Sequence, residues 1–148
     1  MKISILLPYK ENFSPIYAGA VSLFVKDTVK LSKYKKYITV FGNTKLKNIF
    51  KLTYKNIYLK KNLIQSGSKL YVNEFLNFES KSPSDLIEIH NRPNYFHLIY
   101  KNISKQKIVL YFHNDPLTMT GSKSIIDRQN LLNHATKIIF NSHWSRKR

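Results

Sequence analysis

Short apolar runs alternate along this chain with segments whose apolar residues recur at helical spacing. The runs predict β-strands and the longer periodic segments predict helices. The predicted strands are Ile3–Leu7, Tyr37–Phe41, Asn56–Leu59, Asp85–Ile89, Lys107–Phe112 and Thr136–Phe140. The predicted helices are Gly19–Tyr34, Lys69–Phe78, Asn94–Asn102 and Lys123–His134, and a further helix begins after Asn141 and Ser142.

The first predicted helix shows the amphipathic pattern most clearly. Its apolar residues follow the i, i+3, i+4 spacing that predicts a buried stripe, and its lysines are expected to face water. The predicted stripe consists of Val21, Phe24, Val25, Thr28 and Leu31.

Strands that alternate with helices predict an α/β fold: a Rossmann-like, doubly wound parallel sheet of about six strands with helices on both faces. We expect the strand order 3-2-1-4-5-6 and a single domain over residues 1–148. The switch point then lies between the first and fourth strands, and ligands bind outside the carboxyl ends of strands at such a point.

Two of the predicted strands stop in the same way. The fourth ends at His90–Pro93 and the fifth at His113–Pro116, so each brings a His-Asn pair to the carboxyl edge before a proline that cannot continue the ladder. The loop from Pro8 to Gly19 is expected to face these ends across one crevice. This edge is the predicted functional site.

Each candidate residue also has a purely structural interpretation. His113 is an acid–base group or a hydrogen-bond donor to a bound hydroxyl or anion, or else a satisfied polar group. Arg92 clamps a carboxylate or phosphate, or forms a surface salt bridge. Asp115 is a base or, as we favour, the turn residue before Pro116. Gly19 starts an anion cradle or only a helix-entry turn.

Metal and hydrolase chemistry find little support. His90, His97, His113 and Asp115 lack the spacing of known metal-ligand motifs, and the chain has no cysteine, so we expect no metal. No G-x-S-x-G elbow or acid pair is present, and His134 and His143 are expected to do no chemistry.

The charge of +17 comes almost entirely from lysine. Compositional drift explains it most simply, and contact with an anionic membrane surface is the next interpretation. Nucleic acid is the less favoured partner because arginine, which suits base and phosphate recognition, is scarce. The stretch Thr44–Lys61 mixes lysines with aromatic residues and is either a membrane-facing surface or a lysine-protected edge strand. No run resembles a signal peptide or a membrane span, so a cytoplasmic location is the default.

Four segments together resemble a known family. They are Lys2–Gly19, Asp85–Pro93, Val109–Asp115 and Ile138–Ser142, and in order and spacing they are similar to the N-terminal half of a GT-B glycosyltransferase of the retaining family four. The resemblance implies that this half holds the acceptor and that a second Rossmann-like domain holds a nucleotide-sugar donor.

The resemblance also implies roles for individual residues. Gly19 and Ala20 approach the donor diphosphate, and His113 meets the transferred sugar near the reaction centre. The end of the fourth strand, His90–Arg92, borders the acceptor pocket, as do Asn114 and Asp115. Transfer with retention proceeds without a metal, so the expected ligands are a nucleotide-sugar and a glycan or lipid-linked acceptor of the cell envelope.

The chain departs from the family pattern in two respects. Ala20 stands where many members have a second glycine, which bears on how closely a diphosphate approaches. The donor-binding domain is not in this sequence, so we expect a fragment that transfers no sugar alone. A following domain with a Glu-x7-Glu pattern would fit the transferase. The alternative is a non-catalytic basic module that binds nucleic acid or another polyanion.

Overall fold

The computed structural model describes residues 1–59, 65–103 and 105–148. The predicted stretch Thr44–Lys61 therefore lies partly outside the described residues, at Lys60 and Lys61. The strands are β1 (Ile3–Leu6), β2 (Ile38–Gly42), β3 (Tyr54–Asn56), β4 (Leu86–His90), β5 (Lys107–Phe112) and β6 (Lys137–Phe140). The helices are α1 (Ala20–Leu31), α2 (Gly67–Lys81), α3 (Pro93–Tyr100), α4 (Ile125–His134) and α5 (His143–Lys147), with short 3₁₀ turns at Lys35–Tyr37 and Pro116–Thr118.

The strands form one parallel six-stranded sheet in the order β3-β2-β1-β4-β5-β6. The predicted fold class and strand order are confirmed. The register places Leu6 beside Phe41 on one side and beside Ile89 on the other. Apolar residues fill these central strands because both faces of a doubly wound sheet are covered.

The two faces of the sheet bury separate apolar clusters. Helices α2, α3 and α4 cover one face, where Tyr71, Phe75 and Phe96 pack on residues such as Leu6 and Leu110. On the other face α1 packs on β1 and β2. The side chains of β4 and β5 on this second face include Glu88, His90, Tyr111 and His113.

The predicted stripe of α1 is partly wrong. Val21, Val25 and Val29 are buried at i, i+4, i+8 spacing, whereas Phe24 is 37% exposed and Leu31 85% exposed. Thr28 is also exposed. The buried stripe is narrower than predicted because Phe24 meets the ring of His90 on β4 and not the apolar cluster, and because the helix ends at Leu31, which lies outside that cluster.

The third predicted strand is shifted. The observed strand is Tyr54–Asn56, and only Asn56 of the predicted Asn56–Leu59 belongs to it. Ile57 is buried just after the strand, and its N–H donates to Gly42 O at 2.7 Å. A short edge strand pairs on one side only, so its apolar pattern defines its ends poorly.

No helix among the described residues combines the length and the apolar character that crossing a membrane requires.

Candidate functional site

The ends of β4 and β5 are fastened together by Asn91. Its backbone adopts a left-handed conformation (φ +55°), which Asn tolerates better than most residues. Its N–H donates to Tyr111 O at 2.7 Å, and its Oδ1 accepts from the N–H groups of His113 (3.3 Å) and Asn114 (3.2 Å). Asn91 was predicted to border the acceptor pocket, and its side-chain oxygen instead holds the two strand ends together.

Glu88, His90 and His113 form a continuous hydrogen-bonded chain. Glu88 Oε1 lies 2.6 Å from His90 Nε2, and His90 Nδ1 lies 2.9 Å from His113 Nε2. Glu88 and His90 share one face because they are two positions apart on β4. The His90 side chain is fully buried and the Glu88 side chain is 20% exposed. Both ring nitrogens of His90 are engaged, so His90 can reach a ligand only through His113.

Aromatic rings pack against these hydrogen-bonded side chains. We call the group the histidine cluster; it consists of Phe24, Glu88, His90, Tyr111 and His113. The ring of Tyr111 stacks on His90 with centroids 4.8 Å apart and an interplanar angle of 6°. Phe24 meets His113 edge-on at 5.0 Å. Phe24 lies one turn after the start of α1, so this contact places the second turn of the helix against His113.

The environment keeps His113 neutral. Burial, followed by the neighbouring His90, lowers the pKa of His113 to about 4, against the opposing influence of Glu88. The same carboxylate adds to the effect of burial and raises the pKa of Tyr111. A neutral imidazole donates through one nitrogen and accepts through the other, so His113 can orient a hydroxyl-bearing ligand.

A carboxylate lies at the start of α1, where we predicted an anion cradle. Gly19 is the N-cap, and the Ser22 N–H donates to Glu11 Oε1 at 3.1 Å. A Cβ at Gly19 would overlap the Glu11 carboxylate, so glycine is needed for this close approach. The buried Ser22 Oγ has no hydrogen-bond partner in the part of the chain that the structure describes. The helix start is thus arranged around a negative group that belongs to the protein itself.

Arg92 connects the strand-four end to the Pro8–Gly19 loop through a tyrosine. Its Nη1 donates to Asn91 O at 2.8 Å, and its charge acts on Tyr95. The Tyr95 hydroxyl accepts from the N–H of Tyr9 at 3.0 Å. Arg92 is partly exposed, and within the described ranges it forms no ion pair. The predicted loop and strand end therefore do lie together.

Asp115 serves the turn that follows β5. It accepts from the Leu117 N–H at 3.0 Å and pairs with Arg148, whose Nη2 is 3.0 Å from Oδ2. These hydrogen bonds, that of Arg148 first, lower the pKa of Asp115. Asn114 is exposed, and its carbonyl accepts from Ser145 Oγ at 3.5 Å. Contact of either residue with an acceptor stays a prediction.

The remaining histidines lie apart from the cluster. His97 Nε2 is 2.9 Å from Gly121 O, and His134 Nδ1 is 2.9 Å from Asn130 O. Over residues 1–59, 65–103 and 105–148, no three His, Asp or Glu side chains form a group that could hold a metal ion.

A basic groove of about 1110 Å³ opens beyond β2 and β3, beside the start of α2. Lys45, Lys47 and Lys55 line it together with Tyr9, Tyr54 and Tyr58, and we call it the lysine groove. None of its described lining residues carries a carboxylate. Such a surface suits an anionic group attached to an apolar or ring-shaped one.

Comparison with known proteins adds no relative. No family model matches the chain, and no curated protein matches it. The resemblance to a glycosyltransferase therefore depends on the residues and spacing described above.

Three members of the histidine cluster were not predicted as site residues. Glu88 carried a usable signal, because an acidic residue within an apolar strand, two positions before a histidine, must share the face of that histidine. Tyr111 could have been found in the same way, because it lies two positions before His113 and therefore on the same face of the sheet. Phe24 gave no such signal, since its position in an amphipathic helix indicated a core residue.

Proposed function

We propose that this chain is the acceptor-side domain of a GT-B glycosyltransferase that moves a sugar, with retention, from a nucleotide-sugar to a cell-envelope glycan or lipid-linked acceptor. The observation that carries the proposal is the position of His113. It lies at the carboxyl end of β5, one strand from the switch point between β1 and β4, and touches Phe24 in the second turn of α1. A ligand at the carboxyl edge can thus meet a neutral imidazole and a helix N-terminus together.

In this proposal His113 hydrogen-bonds the transferred sugar, and Gly19 and Ala20 approach the donor diphosphate. Glu11 must then leave the start of α1, because its carboxylate lies against Gly19 and accepts from the Ser22 N–H. Arg92 and Asn114, which are not fully buried, border the acceptor. The buried His90 and Asn91 do not reach the acceptor and hold His113 in position. No metal is required, since the chemistry relies on positioning and hydrogen bonding.

The proposal places the protein in the cytoplasm, at the inner face of the membrane. The excess of lysine supports a peripheral contact with anionic lipid. A lipid-linked acceptor would be presented at the same surface.

The proposal implies a longer protein in which a donor-binding domain accompanies this one, and the test uses that protein. Release of nucleoside diphosphate is measured against a panel of UDP-, GDP- and ADP-sugars. We expect His113→Ala to lower turnover about 10²- to 10⁴-fold with little change in melting temperature. His134→Ala is the matched control, because His134 hydrogen-bonds Asn130 O, packs on the ring of Tyr100 and is not a member of the histidine cluster. Unchanged turnover in His113→Ala, or no release with any donor, would reject the proposal.

The lysine groove favours a second candidate, a non-catalytic module that binds a polyanion. Substitution of Lys45, Lys47 and Lys55 by Gln should then abolish salt-dependent binding to anionic vesicles or to an oligonucleotide. The control changes the same charge elsewhere, at the exposed Lys101, Lys105 and Lys123. Equal losses in both triple variants would indicate attraction by net charge alone.

A further inference from the structure

In the histidine cluster, the group that donates in one hydrogen bond determines which group donates in the next. The series therefore has a direction and begins at Glu88. An ionised carboxylate only accepts hydrogen bonds, so the proton between Glu88 Oε1 and His90 Nε2 belongs to the imidazole. With a single proton on the His90 imidazole, at Nε2, the Nδ1 atom of His90 has a lone pair. In that arrangement the 2.9 Å contact requires a proton on His113 Nε2 and leaves Nδ1 of His113 without one.

The surroundings fix the rings that transmit this direction. His90 is fully buried between its two hydrogen bonds and stacks on Tyr111. His113 is held by its backbone contact with Asn91 Oδ1 and by the edge-on ring of Phe24. Its Nδ1 forms no hydrogen bond with any residue that the structure describes.

We propose that Glu88 and His90 are positioning residues that fix the tautomer of His113, so that its Nδ1 accepts a hydrogen bond from a hydroxyl of the ligand. The inference deepens the proposed function, on which it rests for the identity of that ligand as a sugar. A lone pair attracts a neutral O–H donor and repels a phosphate oxygen. His113 therefore faces the hydroxyl-bearing part of the ligand and not its diphosphate.

Nitrogen-15 NMR of histidine-labelled protein tests the tautomer on the 148-residue chain, without any substrate. At neutral pH we expect the proton of His113 on Nε2, with a nitrogen–nitrogen coupling across the hydrogen bond to His90 Nδ1. A proton on His113 Nδ1 would overturn the inference, as would absence of the coupling in a spectrum with sharp His113 signals.

Substitution of Glu88 tests whether the direction starts there. Glu88→Lys presents a donor in place of an acceptor, so the proton positions of both rings should reverse and His113 should carry its proton on Nδ1. Glu88→Gln can donate or accept, and a mixture of tautomers is expected. The second variant covers the case in which lysine disturbs the fold. Glu74→Lys on the exposed face of α2 is the control and should leave the His113 signals unchanged. An unchanged His113 tautomer in both folded Glu88 variants would contradict the role of Glu88.

A kinetic measurement on the longer protein separates this inference from the proposed function. Glu88→Gln should lower kcat about 10- to 100-fold, by analogy with the loss that follows removal of the hydrogen-bond partner of a metal-ligating histidine. KM for the donor should change little, because the diphosphate does not face His113. If the NMR result holds and no transfer is found, the proposed function fails while the positioning role stands. If transfer occurs and the tautomer is unaffected by Glu88, the reverse holds.

Discussion

Two carboxylates on opposite faces of the sheet show how similar groups serve different purposes. Glu79 of α2 is 2% exposed and accepts from Ser4 Oγ (2.6 Å), Ser84 N (2.8 Å) and Ser84 Oγ (2.8 Å). Glu88 of β4 is 20% exposed and has one strong partner, His90, which passes the hydrogen bond on to His113. The first network ends within the protein, whereas the second ends at a nitrogen with no described partner.

A structural network and a binding site differ in whether every polar group has a partner within the protein. A buried polar group is expected to be satisfied, and a network in which every member is satisfied stabilises the fold. A network whose last member has an unpaired donor or acceptor leaves that atom able to hydrogen-bond a ligand. The following variants test this distinction.

The largest effect on stability is expected at the Glu79 network, in which every polar group has a partner within the protein. Glu79→Ala leaves the Ser4 and Ser84 donors buried without their acceptor, and we expect a loss of about 3 kcal/mol in the free energy of unfolding by urea titration. Glu88→Ala is the matched variant and should lose about 1 kcal/mol, because water can reach that position. Equal losses would erase the distinction between the two networks.

A smaller loss is expected at Asn91, which serves both stability and the site. Asn91→Ala removes the acceptor for two backbone N–H groups and puts alanine at a positive φ, so the loss should be about 2 kcal/mol. Asn91→Gly removes the same acceptor and relieves the backbone strain. The difference between the two variants, measured by urea titration, isolates the backbone contribution; no difference would show that the conformation costs nothing.

Acid should lower the free energy of unfolding partly through His113, the last member of the Glu88 network. The pKa of His113 is lowered to about 4 in the fold, so the unfolded chain takes up a proton first as the pH falls below about 6.5. Stability is therefore fully present above that pH and is lost as the pH falls towards about 4. Glu88, His90 and Tyr111 are the titratable groups that face His113. In urea titrations at roughly pH 7.5 and pH 5, His113→Gln should show a smaller decline than the wild type; parallel declines would contradict this.

The smallest effect is expected at the exposed end of the site. Asp115→Asn keeps an oxygen for the Leu117 N–H and removes only the ion pair with Arg148, so the loss in the free energy of unfolding should be the smallest of these variants and should shrink as salt is added. A double-mutant cycle with Arg148→Gln measures the pair itself. A coupling that does not weaken in high salt would show that the pair is more shielded than its exposure indicates.

The fold was readable from the sequence because its central strands are short apolar runs that end at prolines or glycine. That pattern also placed His90 and His113 at the ends of neighbouring strands, and β4 and β5 do pair in parallel, with His90 opposite Tyr111. The edge was harder, since β3 pairs on one side only and mixes lysine with tyrosine. Leu31 was predicted in the core and is exposed, because periodicity does not show where a helix runs past its partner.

The contacts within the site were less accessible than the placement of its residues. Strand alternation could have paired Glu88 with His90, whereas the hydrogen bond from His90 to His113 depends on side-chain conformations that no pattern encodes. The approach of Glu11 to α1 depends on the path of the Pro8–Gly19 loop, which has no periodic signal. The sequence thus predicted which residues meet at the edge, and the structure shows which atoms are already engaged.

The Glu11 carboxylate occupies the start of α1, so any anion from solution has to compete with it for that helix end. Glu11 is tethered nearby and therefore acts at a high effective concentration against any anion from solution. The apparent affinity of such an anion is its intrinsic affinity multiplied by the fraction of molecules in which Glu11 has moved away. Free phosphate has no other contacts with which to shift that equilibrium. A larger ligand that is anchored elsewhere at the same edge has such contacts, so a helix start held by its own carboxylate favours a large anionic ligand over a small one of equal charge.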